Sequence, residues 1–420
     1  MAELPLAGVR VVEFGFVIAG PLATRLLADF GAEVIKVESS AHLGSFRGSG
    51  ALALAGGGPA MVALRHFNEF NRNKRSITLN MADPRGRDLL ARVLRVSDVL
   101  LDNYGPGILD RWGFGYEEAR RHRPDLIVVN MPGMGLSGPQ KGYVTWGPNI
   151  ASVTGMTHLW GLPTYTEPVG SQSAHPDYVA AAHGALAVML ALLQRAETGE
   201  GQQIEVAQLE TAASFLGPQY LDYLVNGRDP QPTGNSHPAY APYGCYRCGP
   251  RPDPGPEDPL GGDDRWCFIA CTSDEEWEAL CAAVGHPEWR DDPRFADLVA
   301  RLRHREELDA LLGAWTRQRS PHQVMELLQG REVPAAAVQD GRDLFEDPHL
   351  RERGYQTEIL HRVPGRSLIY PGLTAHLSLT PGAVRREAPE LGEDNDDFFG
   401  ELLGLSAAEI EALAESGAIS

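Results

Sequence analysis

"VRVVEFGFVIAGPLATRLLADFGAEVIKVE", residues 9–38, is the stretch that decides the fold. VRVVEF (9–14) is short and rich in β-branched and aromatic residues, the pattern of a buried strand. In GPLATRLLADFGA (20–32), Pro21 suits the first turn of a helix, where a missing N–H costs nothing, and Gly31 suits its C-terminal stop. EVIKVE (33–38) returns to a strand. Two strands separated by a helix-length segment imply a parallel βαβ unit, since antiparallel neighbours need only a turn.

The alternation continues along the chain. RSITLN (75–80) reads as a third strand, PRGRDLLARVLR (84–95) as a helix and VSDVLL (96–101) as a strand. GILDRWGFGYEEARRHRP (107–124) contains a helix, and LIVVNM (126–131) closes as a strand. The fold class expected is α/β, with an open doubly wound parallel sheet that binds its ligand beyond the carboxyl ends of the strands. A long helix follows from about 177 to 196, then a turn at TGEGQ and a short strand in QIEVAQ. Residues 228–264 are rich in Pro and Gly and read as a loop insertion around GPRPDPGPEDPLGGDD (249–264). SDEEWEALCAAVG and ARLRHREELDALLGAWTRQR read as amphipathic helices of a smaller α+β domain. The expected division is 1–225 for the large domain, 226–335 for the small one, and 336–420 for a C-terminal segment. In its last helix Ser406 and Glu409 have capping-box spacing.

The chain has 420 residues, 43% of them hydrophobic, enough for a substantial core. A formal charge of -19 argues against non-specific binding to nucleic acid and to anionic membrane surfaces. The start, MAELPLAGVR, lacks the basic and apolar regions of a signal peptide. Val179 to Leu193 carry no Asp, Glu, Lys or Arg, but this run is shorter than the roughly 20 residues of a spanning helix, and a buried core helix fits better. Five cysteines, an odd number, suit reduced thiols in a cytoplasm. Cys245 and Cys248 form a CxxC without a second pair at finger-like spacing, so buried thiols are favoured over a metal site.

The turn after the first strand, FGFVIAGP, has no GxGxxG, which makes a nicotinamide dehydrogenase a poor reading. NRNKRS (71–76) gathers Arg72, Lys74 and Arg75 in an acidic protein. It is either a solvated strand edge or a phosphate clamp, since Arg forks and Lys point charges both suit phosphate. DNYGPGILDRWG places Asn103 and Tyr104 just past a strand, where a ligand would dock, and Arg47 in SFRGSG is a further candidate cation. Asp177, beside Pro176 at the mouth of the apolar helix, is either a helix cap or a functional carboxylate. Position 180 is Ala, so a capping box is absent. His175 and His183 are titratable neighbours in sequence, with His183 six residues on and not bound to the same face. MTHLWGLPTY (156–165), with Trp160, is either an acceptor-pocket wall or core.

With these residues in hand the chain resembles the family III CoA-transferases, the group of formyl-CoA transferase and carnitine CoA-transferase. The pieces that carry the resemblance include PLAGVRVVEFGFVIAGP, LLADFGAEVIKVE, NRNKRSITLN, DVLLDNYGPGILDRWGFGYE and HPDYVAAAHGALAVMLALLQRAETGEGQQIEVAQLE. Further matches, VPAAAVQDGRDLFEDPHLRERG and LGEDNDDFFGELLGLS, extend it over nearly the whole chain. The resemblance implies that Asp177 is the catalytic nucleophile. It implies CoA contacts from Ile18 and Ala19, from Asn71, Lys74 and Arg75, from Asn103 and Tyr104, and from Arg47 and Arg111. It also implies that 336–420 returns to complete the large domain, that two identical subunits interlock, that an acyl-CoA thioester and a carboxylic acid are the substrates, and that no cofactor is permanently bound. Ser40 and Ser45 stand where the family usually has Pro and Asp, while Gly44 and Arg47 are kept. Gly261 and Gly262 precede Asp263 and Asp264 in a loop longer than usual.

The chemistry so implied is attack of the Asp177 carboxylate on a donor thioester, giving an anhydride and then an aspartyl-CoA thioester. Two alternatives remain at this level. One is an acyl-CoA racemase or isomerase of the same family, and the other is a non-catalytic CoA-binding subunit of a heteromeric transferase.

Overall fold

The structure, a computed structural model, describes residues 3–44, 47, 60–170, 173–253, 262–362, 365 and 367–420. Ser45, Gly261 and the centre of the Pro/Gly-rich loop lie outside the described residues. Two compact units emerge: the described residues of Met1–Thr157, Gly170–Asp229 and His349–Ser420 form one, and those of His158–Val169 and Pro230–Pro348 form the other.

The large unit runs β1 (Arg10–Phe14), α1 (Ala19–Asp29), β2 (Glu33–Glu38), α2 (Ala60–Asn71), β3 (Lys74–Thr78), α3 (Pro84–Arg95) and β4 (Val99–Asp102). It continues with α4 (Ile108–Trp112), α5 (Tyr116–His122), β5 (Ile127–Asn130), α6 (Gly147–Val153), α7 (His175–Thr198) and β6 (Gln203–Glu205). α8 (Gln208–Ala213) and α9 (Gly217–Asn226) follow. Among the described residues the six strands form one wholly parallel sheet in the order β3-β2-β1-β4-β5-β6. Val11, Val34, Val99, Ile127 and Val129 face α1 and α7 in one core layer. Val12, Ile35, Ile77, Leu100 and Val128 face α3 and the C-terminal segment in the other. Burial on both faces explains why these strands read as near-continuous apolar runs. α1 leaves β1 on one face while α4 and α5 follow β4 on the other. The crevice between the carboxyl ends of β1 and β4 is therefore the topological switch point, where open α/β sheets place their ligands.

β3 is an edge strand, and residues from the C-terminal segment cover its outward groups. The Ser76 N–H donates to Asp394 Oδ2 (2.8 Å), the Thr78 N–H to Asn395 Oδ1 (2.9 Å), and Asp394 N–H returns a bond to the Ser76 carbonyl (3.0 Å). Capping an open edge with side chains removes a template for unwanted strand pairing.

α7 departs from the expected buried core helix. Its Ala180, Ala181, Gly184, Ala185, Val188 and Ala191 form a small-residue stripe packed on α1. Leu186, Met189, Leu190 and Leu193 on its other side are exposed. The absence of charge along Val179–Leu193 thus reflects two apolar faces, of which the described residues cover one. By length and composition alone the helix could cross a bilayer, but its packed stripe belongs to the core of this unit.

The smaller unit has an antiparallel sheet of β7 (Tyr243–Arg247), β8 (Trp266–Ala270) and β9 (Ala335–Val338). Against it lie α10 (Asp274–Val284), α12 (Arg305–Thr316) and α13 (Pro321–Gln329), with α11 (Leu298–Arg303) leading into α12. The segment read from sequence as one amphipathic helix is two, broken at His304 (φ -105, ψ 28). Its core centres on Trp277, Phe295 and Leu312, and it holds all five cysteines as free thiols.

Candidate active site

Asp177 lies in the first turn of α7, with Ala174 as the N-cap residue and Pro176 ahead of it in the same turn. The cap reading from sequence is therefore corrected: the helix begins two residues earlier, and the Ala174 cap has no side-chain bond. The Asp177 side chain instead turns inward and is only 7% exposed. The Ala19 backbone N–H, at the start of α1, acts on its carboxylate and favours the charged form. Two helix N-termini, those of α1 and α7, thus meet at one carboxylate, and both favour negative charge there. Oδ2 is buried with no hydrogen-bond partner among the described residues. Desolvation by burial raises the carboxyl from its ordinary value of 3.8 to about 6, against the lowering effect of the backbone N–H groups.

Asp177 lines a cavity of about 430 Å³, with walls from the turns after β1 and β4, the loop before α6, and Gln208 at the start of α8. Asp177 and Lys141 are the charged side chains among its described lining residues. A second cavity of about 650 Å³ adjoins it, and Phe16, Val17, Tyr104 and Ile108 contribute to both. The turn that separates them is held by a paired amide contact. The Phe16 N–H donates to Asn103 Oδ1 (2.7 Å), and Asn103 Nδ2 donates to the Phe16 carbonyl (2.8 Å). The close approach depends on Gly20, where a Cβ would stand 2.9 Å from Asn103 Oδ1. Val17 sits at φ 60, in the left-handed region that β-branched residues avoid. Backbone strain of this kind persists where surrounding structure over-determines it, and here it lies at the junction of the two cavities.

The sequence-predicted site residues divide into those on the cavity walls and those behind them. Ile18, Asn103 and Tyr104 line the smaller cavity with Asp177, while Arg47, Asn71 and Tyr104 line the larger one. Arg47 makes a two-pronged ion pair with Glu38 (2.9 and 2.8 Å) and stacks over the Phe67 ring at 3.9 Å. Arg111 is exposed on α4, between the cavity-lining Ile108 and Trp112, and has no ion pair among the described residues. Lys74 is fully buried, and its ammonium donates to Glu13 (2.7 Å), the Pro21 carbonyl (2.8 Å) and Asn71 (3.0 Å). Arg72 is engaged by Asp29 (2.9 Å), and Arg75 by Glu33 (3.1 Å) and Asp394 (3.2 Å). The cationic knot in NRNKRS is therefore turned inward as an ion-pair network, and Arg75 is not among the lining residues of either cavity.

Other residues at the site carried no signal that sequence reasoning picked up. Gly147 is one: a Cβ there would fall 2.3 Å from Asp177 Oδ2, so only glycine allows the carboxylate its place. Trp146, 6.1 Å from the Phe16 ring, supplies the cavity's indole, and Trp160 lines neither cavity. Asp102 underpins the Asn103–Tyr104 turn by accepting from Tyr104 N–H (3.0 Å) and Asn130 Nδ2 (2.6 Å). Burial pushes its carboxyl up to about 7. His183 is exposed and bonded to the Val179 carbonyl (2.9 Å), away from this chemistry.

The model of CoA-transferase family III matches residues 6–395. A succinyl-CoA–D-citramalate CoA-transferase of Chloroflexus aurantiacus is 32% identical over 410 residues, covering 97% of this chain and 96% of that protein. A formyl-CoA:oxalate CoA-transferase of Bradyrhizobium diazoefficiens is 31% identical, covering 99% and 97%. The crystal structure of a CAIB/BAIF family protein from Brucella suis superposes with a TM-score of 0.82 at 29% identity, covering 96% of this chain and all of that one.

Proposed function

The chain belongs to CoA-transferase family III, and from that premise we propose that Asp177 is the nucleophile that passes CoA from an acyl-CoA thioester to a free carboxylic acid. The Asp177 carboxylate oxygen bonds to the acyl carbon, the C–S bond breaks, and CoA leaves as a thiolate, producing a mixed anhydride. The thiolate attacks the aspartyl carbonyl of the anhydride. The C–O bond breaks, releasing the donor acid as its carboxylate and leaving an aspartyl-CoA thioester. The acceptor carboxylate then attacks that thioester, and the same two steps run in reverse to give the new acyl-CoA and free Asp177. No step consumes water, so an apolar cavity that excludes it protects both activated species.

The observation that carries this reading is the ionisable carboxylate of Asp177, buried in a mainly apolar cavity and faced by two helix N-termini. Those N-termini favour the carboxylate before attack and the oxyanions that form afterwards. In this reading the nucleotide end of CoA occupies the larger cavity, near Arg47, Asn71 and the exposed Arg111. The pantetheine arm passes Val17 and Tyr104, which both cavities share, and the thioester reaches Asp177 beside Ile18, Ala19 and Asn103. Lys74 and Arg75 act through the walls they brace. Acids with two carboxyl groups are the substrates we favour, because the relatives are named for succinyl, citramalate and oxalate groups.

Mass spectrometry after mixing with a panel of acyl-CoAs and hydroxylamine tests the covalent route. Hydroxylamine converts an activated aspartyl carbonyl to a hydroxamate, so the expected product is an acyl-CoA-dependent hydroxamate on the Asp177 peptide. An unmodified Asp177 in protein that binds CoA would move the assignment to a racemase or a non-catalytic subunit.

The same reading makes the protein a homodimer. Leu186, Met189, Leu190 and Leu193 of α7 and Tyr220, Leu221, Leu224 and Val225 of α9 are all exposed. An apolar area of this kind on a single chain marks an interaction surface, and a second copy is the partner proposed. Equilibrium sedimentation should return twice the chain mass; a stable monomer at micromolar concentration excludes the dimer.

A further inference from the structure

Lys141 occupies a position unlike that of the chain's other two lysines. Lys36 and Lys74 are buried against Glu13. Lys141 lies in the loop before α6, is exposed, and makes no ion pair or side-chain hydrogen bond among the described residues. Its backbone is in a turn, with its N–H directed to the Gly138 carbonyl at 3.4 Å. Lys141 lines the Asp177 cavity, where it is the one cation among the described lining residues; Asp177 is the other charged group, and the remaining walls are apolar, aromatic or neutral.

We propose that Lys141 is the specificity-determining residue of the cavity, binding the distal carboxylate of a dicarboxylic acyl group while Asp177 reacts at the proximal carbonyl. The inference rests on the transferase reading of Asp177. A second carboxylate brought into an apolar cavity loses hydration and needs a partner there. Lys141 can provide one with three N–H donors and an ammonium charge, and hydrogen bonds between charged partners are the stronger kind. A methyl-terminated acyl chain of equal length gives the ammonium nothing to bind. Because donor and acceptor acids react at the same aspartate in turn, one cation serves the distal carboxylate of both.

Succinyl-CoA and butyryl-CoA make the test, since they have the same number of acyl carbons and differ in a terminal carboxylate or methyl. The readout is the ratio of kcat/KM for the two donors, with a common acceptor, in the native protein and in Lys141→Met and Lys141→Arg. The native ratio should favour succinyl-CoA. Lys141→Met should lower that ratio by about 10- to 100-fold, the scale of one charge-assisted contact, and Lys141→Arg should hold it within about threefold of native. An unchanged ratio in Lys141→Met overturns the proposal, even if both donors weaken together, because that pattern belongs to a CoA contact or to loop structure. A native preference for butyryl-CoA also overturns it while leaving the transferase reading in place. Transfer from neither donor, with no Asp177 hydroxamate across the acyl-CoA panel, overturns the transferase reading and this inference with it.

Discussion

Replacing Asp177 by Asn is expected to abolish CoA transfer and to make the protein harder to unfold. The amide cannot form the anhydride, so kcat/KM should fall by at least about 10⁴-fold, the scale of losing a covalent nucleophile. The gain in stability follows from the raised carboxyl. Its pKa is about 6 in the folded protein against an ordinary 3.8. Between these values the folded state holds the proton more tightly than the unfolded state does. Stability therefore falls as pH rises through that window, and above about pH 6 the native protein carries the full penalty of an ionised, buried carboxylate. The difference corresponds to roughly 3 kcal/mol at about 1.4 kcal/mol per pKa unit. Urea denaturation at pH 8 should show Asp177→Asn to be the more stable protein by an amount of that order. The gap should close as pH drops from about 6 to 3.8. In the native protein kcat/KM for acyl-CoA should fall tenfold per pH unit below about 6, as the proposed nucleophile protonates. A variant no more stable than native at pH 8 would show that the folded carboxylate is not penalised.

Glu13→Gln should have the largest effect on stability, with the reacting groups untouched. Glu13 is fully buried on β1, where it takes Lys36 (3.0 Å), Lys74 (2.7 Å) and the Thr24 hydroxyl (2.7 Å). Burial works against its charge, yet the two ammonium groups hold the carboxyl down to about 2. The glutamine leaves two lysines inside the protein without a counter-charge, and breaking such a pair from one side costs about 3–5 kcal/mol. The midpoint of urea unfolding should fall accordingly at neutral pH. A loss below about 1 kcal/mol would mean that water or a rearranged carboxylate reaches the lysines, since that is the level of an exposed pair.

The parts of the fold that were legible in the sequence are those set by local pattern. EVIKVE and PRGRDLLARVLR coincide with β2 and α3 because each is bounded by its own punctuation, Asp83 and Pro84 for the helix. VSDVLL was harder to place: β4 begins at Val99, since Val96 and Ser97 close the turn that ends α3. The break at His304 was not legible, because the apolar spacing continues through it. At the site, sequence shows which groups carry charge but not what they face. NRNKRS looks like a free cationic cluster until Asp29, 43 residues away from Arg72, is found against it. The positive φ of Val17, the fit of Gly147 against Asp177 and the place of Lys141 on the cavity wall arise only when distant turns meet. The proposal of Asp177 as nucleophile came from resemblance rather than from pattern, since an Asp in a first helical turn is an ordinary feature.

The covered edge of β3 sets a timetable for synthesis. Ser76 leaves the ribosome 318 residues before Asp394, the residue that accepts its N–H. At about 5–20 residues per second, that edge waits about 15–60 s for its cover. The smaller unit, drawn mostly from Pro230–Pro348, is translated whole within this interval. The nascent large unit must meanwhile hold an apolar parallel sheet with one open side, a state prone to pairing with other chains. Growth temperature and chaperone supply should therefore govern the yield of soluble protein more strongly than the stability of the finished fold does.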